Sequence, residues 1–135
     1  MEAIIRYLDG LKFEAEARGH VVLCDQPPSN GGEDGGMTPP EFLLASLGTC
    51  AGFYAAQYLR ARSLPAGGLT VKVVAEKAAQ PARLGSFTIE VAAPVEEERH
   101  REGILRAVKN CLIHNTLLHA PAIQISVGVA VPSHV

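Results

Sequence analysis

Residues 38–62, TPPEFLLASLGTCAGFYAAQYLRAR, predict a long helix around which the rest of the chain is arranged. Thr38 and Glu41 have the Thr-x-x-Glu spacing of a capping box, and Pro39 suits the first helical position. No residue of the segment 42–59 is charged, and the arginines that follow it suit the negative end of a helix dipole. A proline shortly after them ends the helix.

One face of this predicted helix carries an apolar stripe with a thiol at its centre. Polar and small residues interrupt the uncharged run, and the overall composition is ordinary for a soluble protein, so a central buried helix is favoured over a membrane span. The members of the stripe recur every three or four residues, as one helical face requires: Leu43, Leu47, Cys50, Tyr54 and Tyr58.

The composition indicates one domain, residues 1–135, in a protein of the cytoplasm. The length is that of a single hydrophobic core. A net charge of -2 with scattered basic residues predicts no nucleic-acid partner, and the start of the chain does not have the pattern of a secretory signal. Three cysteines without close pairs argue against a secreted disulfide framework and leave metal binding or redox chemistry open.

The remaining sequence predicts an α+β fold. Asp9-Gly10 is a hairpin dipeptide, and a second turn at residues 18–20 extends the hairpin to a three-stranded meander. The Gly- and Pro-rich segment 26–37 is either a functional loop or a mobile surface loop. After the long helix we expect a hairpin at 69–75 and 86–93, an amphipathic helix after 96–98, a short helix within 111–119 and a closing strand at 123–131.

Cys50 and Cys111 are the residues most suited to chemistry. Either cysteine alone fits a small buried hydrophobe, as does Cys24 in its apolar strand. A reversible dithiol cycle, however, needs one nucleophilic and one resolving thiol that the fold brings together. The sequence does not show whether Cys50 and Cys111 are in contact.

A reactive thiol needs a cation, a hydrogen-bond donor or a helix N-terminus near the sulfur. Cys111 stands near the start of a predicted helix, whereas Cys50 is mid-helix and needs another source of stabilisation, such as Arg18. Glu41 either caps the long helix or orients that guanidinium, and one carboxylate can do both. A zinc site from Cys111, His114 and His119, with or without Cys50, has little support, since no Cys-x-x-Cys or His-x-x-x-His pair accompanies these residues.

The run RGHVVLCDQPPSNGGEDGGMTPPEFLLASLGTC, together with KNCLIHNTL, resembles the OsmC/Ohr family of osmotically inducible and organic hydroperoxide resistance proteins. The most specific parts of the likeness are the helix start at residues 39–42 and the two cysteines. The resemblance implies an OsmC-like fold in an intertwined homodimer with active sites at the subunit interface. It also implies a cysteine peroxidase in which Cys50 is peroxidatic, Cys111 is resolving, and Arg18 and Glu41 activate the thiol.

Two functions follow as expectations. The first is a cofactor-free thiol peroxidase that reduces organic hydroperoxides through a Cys50 sulfenic acid and a Cys50–Cys111 disulfide, which a cellular dithiol reduces again. The second is a non-catalytic module of the same fold that binds an apolar ligand or senses redox state. Neither needs a membrane or a metal.

Overall fold

The computed structural model describes residues 1–132 and confirms the predicted α+β class. Two separate antiparallel sheets, of three and two strands, accompany three α-helices in that part of the chain. A single 3-10 turn at Pro28–Asn30 interrupts the loop that precedes the long helix. The elements in chain order are β1 Ile4–Tyr7, β2 Phe13–Ala17, β3 His20–Cys24, α1 Pro39–Ala61, β4 Thr70–Ala78, β5 Arg83–Ala92, α2 Glu98–Val108 and α3 Leu112–Leu118.

The first sheet is the predicted meander, in the order β1-β2-β3. Its second turn is tight: Arg18 and Gly19 both adopt positive φ, at 53° and 82°, which a two-residue hairpin turn of the primed type requires. Every strand residue of this sheet is exposed or half-buried. Val21 and Val22 are neighbours and so point to opposite faces, yet they are 56% and 50% exposed. Both faces of the sheet are therefore open to solvent in the single chain.

Helix α1 begins as the sequence predicts. Glu41 Oε1 accepts hydrogen bonds from the backbone N–H of Thr38 at 3.0 Å and from its hydroxyl at 2.7 Å. The helix runs as far as Ala61, and the backbone N–H of Arg62 closes it on the carbonyl of Leu59. By length and composition α1 also resembles a membrane-crossing helix, a property that core helices share.

The core forms where α1 packs on α2 and on the sheet of β4 and β5. The buried residues of α1 recur every four positions, and those of α2 face them across the interface. Because residues four apart share a helical face, one stripe of each helix is removed from water. The buried members are Leu47, Ala51, Ala55 and Leu59 of α1 and Ile104 and Val108 of α2.

The expectation that α1 is buried on most sides is wrong for the single chain. Of the predicted stripe only Leu47 is buried, whereas Leu43, Cys50, Tyr54 and Tyr58 are half-buried. The face opposite the buried residues of α1, which includes Phe53, is exposed. Phe53 itself is 60% exposed. The physical reason is coverage, since α2, α3 and two strands shield only one side of a 23-residue helix.

The C-terminal strand expected at 123–131 is also not formed. Residues 120–132 contain no helix or strand, and no strand among residues 1–132 pairs with them. The side chains of Ile123, Ile125, Val127 and Val129 are at least 80% exposed. The alternation that suggests a strand is real, but a strand also needs a neighbouring backbone to satisfy its amides, and the single chain supplies none here.

The Gly-rich loop before α1 is ordered around a buried carboxylate. Asp25, which is 1% exposed, accepts hydrogen bonds from the backbone N–H groups of Gln26 at 2.7 Å, Glu33 at 3.2 Å and Gly35 at 2.9 Å. Gly36 approaches the carbonyl of Leu23 so closely that a Cβ has no room. The loop is thus a defined connection that fixes where α1 begins.

Candidate thiol site

Cys50 and Cys111 lie in contact although they are far apart in the sequence. Cys50 is in the middle of α1, and Cys111 is the residue that precedes the first turn of α3. The two helices pack together, and the interaction between the two thiols lowers the pKa of Cys50 and raises the pKa of Cys111. Both cysteines are free thiols. The structure therefore holds two reduced sulfurs within reach of each other.

The start of α3 aims two further donors at Cys50. Burial alone raises the pKa of the Cys50 thiol, but the Cys111 thiol and the backbone N–H groups of Ile113 and Leu112 all hydrogen-bond to its sulfur. These bonds stabilise the thiolate more than burial destabilises it, so the pKa of Cys50 lies below its ordinary value. Cys50 is half-buried, which leaves part of its surroundings open.

Cys111 has the opposite properties. It is completely buried, and burial raises the pKa of its thiol. Its hydrogen bond to Cys50 raises this pKa further, because a thiol that donates its proton must keep it, and the backbone N–H groups of His114 and Ile113 offset only part of the change. The two environments thus favour a Cys50 thiolate beside a protonated Cys111.

The local backbone explains why Cys111 reaches this place. Helix α2 ends at Val108, and the N–H of Cys111 hydrogen-bonds to the carbonyl of Val108 at 3.0 Å as the chain turns. The carbonyl of Cys111 then accepts the N–H of Asn115 at 3.0 Å and begins α3. Cys111 is therefore held at the junction of two helices, with its side chain in the core.

Glu41 and Arg18 are not brought to Cys50 within one chain. Nine residues separate Glu41 from Cys50, which is about 13 Å and two and a half turns along α1, so the two side chains leave opposite faces of the helix. The pKa of the Glu41 carboxyl is held low by the backbone N–H of Thr38 and then by its hydroxyl, which is its capping role. Arg18 lies exposed in the β2–β3 turn, and neither residue is among the groups that shift the pKa of Cys50.

The other candidate ligands are dispersed. Cys24 is a half-buried residue at the end of β3, where it pairs with Phe13 of β2. His114 is half-buried in α3, and His119 is exposed at the end of that helix. Across residues 1–132, no three or more His, Cys, Asp or Glu side chains cluster in a way that could hold a metal ion.

Sequence reasoning missed the backbone donors of α3. The pattern does contain a signal, because a cysteine directly before a helix marks a position rich in unpaired N–H groups. We assigned those groups to Cys111 itself, whereas Leu112 and Ile113 donate to Cys50. Only the packing of α3 on α1 shows which sulfur receives them.

A family model matches most of the chain. The family model described as OsmC-like protein matches residues 31–126. None of the curated proteins matches the chain. Among solved structures, the chain is similar to an OsmC-like protein from Mycoplasma pneumoniae, with a TM-score of 0.70 and 21% identity over 88% of this chain and 87% of that one.

Two further similar structures carry a functional description. One is an organic hydroperoxide resistance protein OsmC from Legionella pneumophila, with a TM-score of 0.60 and 16% identity over 88% of this chain and 90% of that one. The other is an organic hydroperoxide resistance protein from Elizabethkingia anophelis, also with a TM-score of 0.60 and 16% identity, over 89% and 90% of the two chains. At these identities the likeness shows a shared fold.

Proposed function

The chain belongs to the OsmC-like protein family, and from that premise we propose that it is a thiol-dependent peroxidase that reduces organic hydroperoxides to alcohols. The observation that carries the proposal is the pairing of Cys50, whose pKa is lowered, with Cys111 where α1 packs on the start of α3. A lowered pKa supplies the nucleophilic thiolate, and the contact supplies a resolving thiol. The hydroperoxide resistance proteins of similar fold support the choice of substrate.

The reaction has three balanced steps. The Cys50 thiolate attacks the terminal oxygen of the hydroperoxide, the O–O bond breaks, and the alkoxide takes a proton to leave as an alcohol, so that Cys50 becomes a sulfenic acid. Cys111 then attacks that sulfur, and the hydroxyl leaves as water with formation of a Cys50–Cys111 disulfide. A dithiol reductant exchanges with this disulfide, is oxidised to its own disulfide, and restores both thiols. A reducing compartment such as the cytoplasm provides such dithiols.

The different environments of the two cysteines support their assigned roles. Cys50 is half-buried with a lowered pKa, which favours its thiolate form in the reaction with peroxide. Cys111 is wholly buried with a raised pKa, so it stays protonated until Cys50 has been oxidised. Exposure and protonation therefore both favour Cys50 as the first sulfur to react.

We also propose a homodimer, on the ground of the apolar surface that one chain leaves open. Both faces of the first sheet carry exposed side chains, as Val21 and Val22 illustrate. The alternating apolar residues of 123–131 have no strand partner in the single chain, and one face of α1 exposes apolar side chains to solvent. In a homodimer, a second copy would pack against the first sheet, residues 123–131 and the exposed face of α1. Sedimentation at micromolar concentration should give twice the chain mass of 14.3 kDa, and a 14.3 kDa species would contradict the dimer.

In this dimer, Arg18 and Glu41 act on the thiol of the other copy. The proposal needs that arrangement because α1 directs Glu41 away from Cys50 of the same chain. Arg18 stands at an exposed turn that projects from a sheet with open faces, so a second copy can receive it. A guanidinium held by a carboxylate would add to the stabilisation that α3 already gives the thiolate.

Turnover of cumene hydroperoxide with dithiothreitol as reductant tests the proposal. Cys50→Ser should abolish consumption of the peroxide, because it removes the thiolate that attacks the terminal oxygen. Cys24→Ser is the matched control, since Cys24 is a half-buried cysteine outside the pair, and it should turn over like the wild type. Equal activity in Cys50→Ser and wild type would overturn the mechanism. A disulfide that forms once, without turnover, would favour the redox-sensing alternative.

A further inference from the structure

A cavity of about 370 Å³ lies between β5, α2 and the start of α3, apart from the thiol pair. The volume is within the range of small-ligand pockets, about 300–1,000 Å³. Its walls are mainly apolar: Ile89 and Val91 of β5 face Ile104 and Leu105 of α2. Neither Cys50 nor Cys111 lines it, and the cavity adjoins the proposed peroxidase site only through Val108 and His114, whose backbones contact Cys111.

The polar residues that line this cavity all carry or can carry positive charge. They are Arg101 and Lys109 of α2 and its C-terminal cap, with His114 of α3, and no aspartate or glutamate lines the cavity. Neither Arg101 nor Lys109 takes part in an ion pair anywhere in residues 1–132. Arg101 donates one hydrogen bond to the carbonyl of Glu96, which leaves the rest of its guanidinium free to bind.

Helical geometry places the cations at the two ends of the apolar wall. Arg101, Leu105 and Lys109 are four residues apart, so they follow one face of α2, and the outer two are separated by about 12 Å along the axis. Leu105 lies between them and is 56% exposed, whereas Ile104 below it is 4% exposed. The result is an apolar slot with a buried floor and a positive rim.

We propose that this slot is a second ligand site that binds an aliphatic carboxylate, with the alkyl chain along Ile104 and Leu105 and the carboxylate at the Lys109 end. Burial of the ligand's methylene groups against the apolar wall favours binding, and the rim supplies an unpaired cation for the carboxylate. A neutral alcohol of the same length matches only the wall, and an alkylammonium is repelled by the rim. The site goes beyond the proposed peroxidase function and does not depend on it.

Binding of decanoate to the reduced full chain tests the site by calorimetry and by amide chemical shifts. Decanoate should bind with shifts centred on Ile104 and Leu105, and 1-decanol and decylammonium should bind about tenfold more weakly or worse. Lys109→Glu should raise the Kd for decanoate by about tenfold or more. Arg106→Glu is the matched control, because it makes the same charge change in the last turn of α2 but Arg106 does not line the cavity.

The control variant Arg106→Glu should change the Kd for decanoate by less than about twofold. Circular dichroism checks that both variants fold. If a charge reversal unfolds the helix, Lys109→Gln, which only removes the charge, takes its place and should also weaken the binding of decanoate. Equal effects of Lys109→Glu and Arg106→Glu, or equal affinity for decanoate and decanol, would overturn the proposal. The proposal would also be overturned if a second copy of the chain covered the α2 face and decanoate caused no change in the amide chemical shifts.

Discussion

Gly103 of α2 lies against the ring of Tyr58 so closely that a methyl group has no room there. A Cβ built at Gly103 falls well under 3.0 Å from Tyr58 Oη, Cε2 and Cζ, all part of a rigid ring. The ring is itself held, because Tyr58 Oη is 3.0 Å from His100 Nδ1 and the guanidinium of Arg62 lies 3.7 Å from the ring centroid. We therefore expect Gly103→Ala to destabilise the fold although alanine is the better helix former.

Three terms set the size of the effect. Overpacking of this kind costs about 1–3 kcal/mol. If the ring withdraws instead, it gives up the hydrogen bond to His100, worth about 0.5–1.5 kcal/mol. Helix propensity favours alanine over glycine by roughly 1 kcal/mol and opposes both costs. The net expectation is a loss of up to about 2 kcal/mol in the free energy of unfolding, which is about 1–3 kcal/mol below a glycine-to-alanine change that meets no clash.

Urea denaturation followed by circular dichroism measures this loss. Gly52→Ala in α1 is the matched control, because a Cβ there lies 3.6 Å from Val71 Cγ2, an ordinary contact, so propensity should raise stability by up to about 1 kcal/mol. In a Tyr58→Leu background the cost of Gly103→Ala should largely vanish. If Gly103→Ala stabilised the protein as Gly52→Ala does, the close approach of α2 to Tyr58 would be refuted.

Three other substitutions test separate parts of the structure. Thr38→Ala removes the hydroxyl that donates to Glu41 and should cost about 0.5–2 kcal/mol of stability in urea melts. For Asp25, the N–H of Gly35 chiefly lowers the pKa of the carboxyl, burial opposes this, and two further N–H groups add to it. Wild type should therefore exceed Asp25→Asn in stability at pH 7, and the advantage should fade in melts below about pH 4, as the carboxyl is protonated. Arg18→Lys should slow peroxide consumption yet change unfolding by less than about 0.5 kcal/mol, because an ammonium lacks the planar fork, and an unchanged rate would leave Arg18 a turn residue.

Local signals made the secondary structure predictable. The Thr38–Glu41 box defines the start of α1, and Asp9-Gly10 defines the first hairpin, because in both cases the deciding contacts lie within a few residues of sequence. The strand prediction for residues 123–131 was wrong because its deciding contacts are not local. Their alternation is a correct local pattern, but whether it becomes a strand depends on a neighbour that the single chain does not provide.

The sequence singles out Cys50 and Cys111 but does not show the geometry between them. A spacing of about sixty residues carries no information on contact, so the meeting of Cys50 with Cys111 depends on how α3 packs on α1. The donors from Leu112 and Ile113 depend on the same packing. The sequence indicated Arg18 as the source of activation, whereas within one chain the lowered pKa of Cys50 arises from Cys111 and the backbone of α3.

In the proposed cycle, Cys50 is oxidised first and Cys111 resolves it. The most direct measurement is mass-spectrometric mapping of every thiol after one equivalent of cumene hydroperoxide is added to the reduced protein. The wild type should give a Cys50–Cys111 disulfide with Cys24 still reduced, and Cys111→Ser should give a Cys50 sulfenic acid, trapped by dimedone. Reduced Cys50 and Cys111 after the peroxide has been added, or oxidation of Cys24 ahead of Cys50, would contradict this cycle.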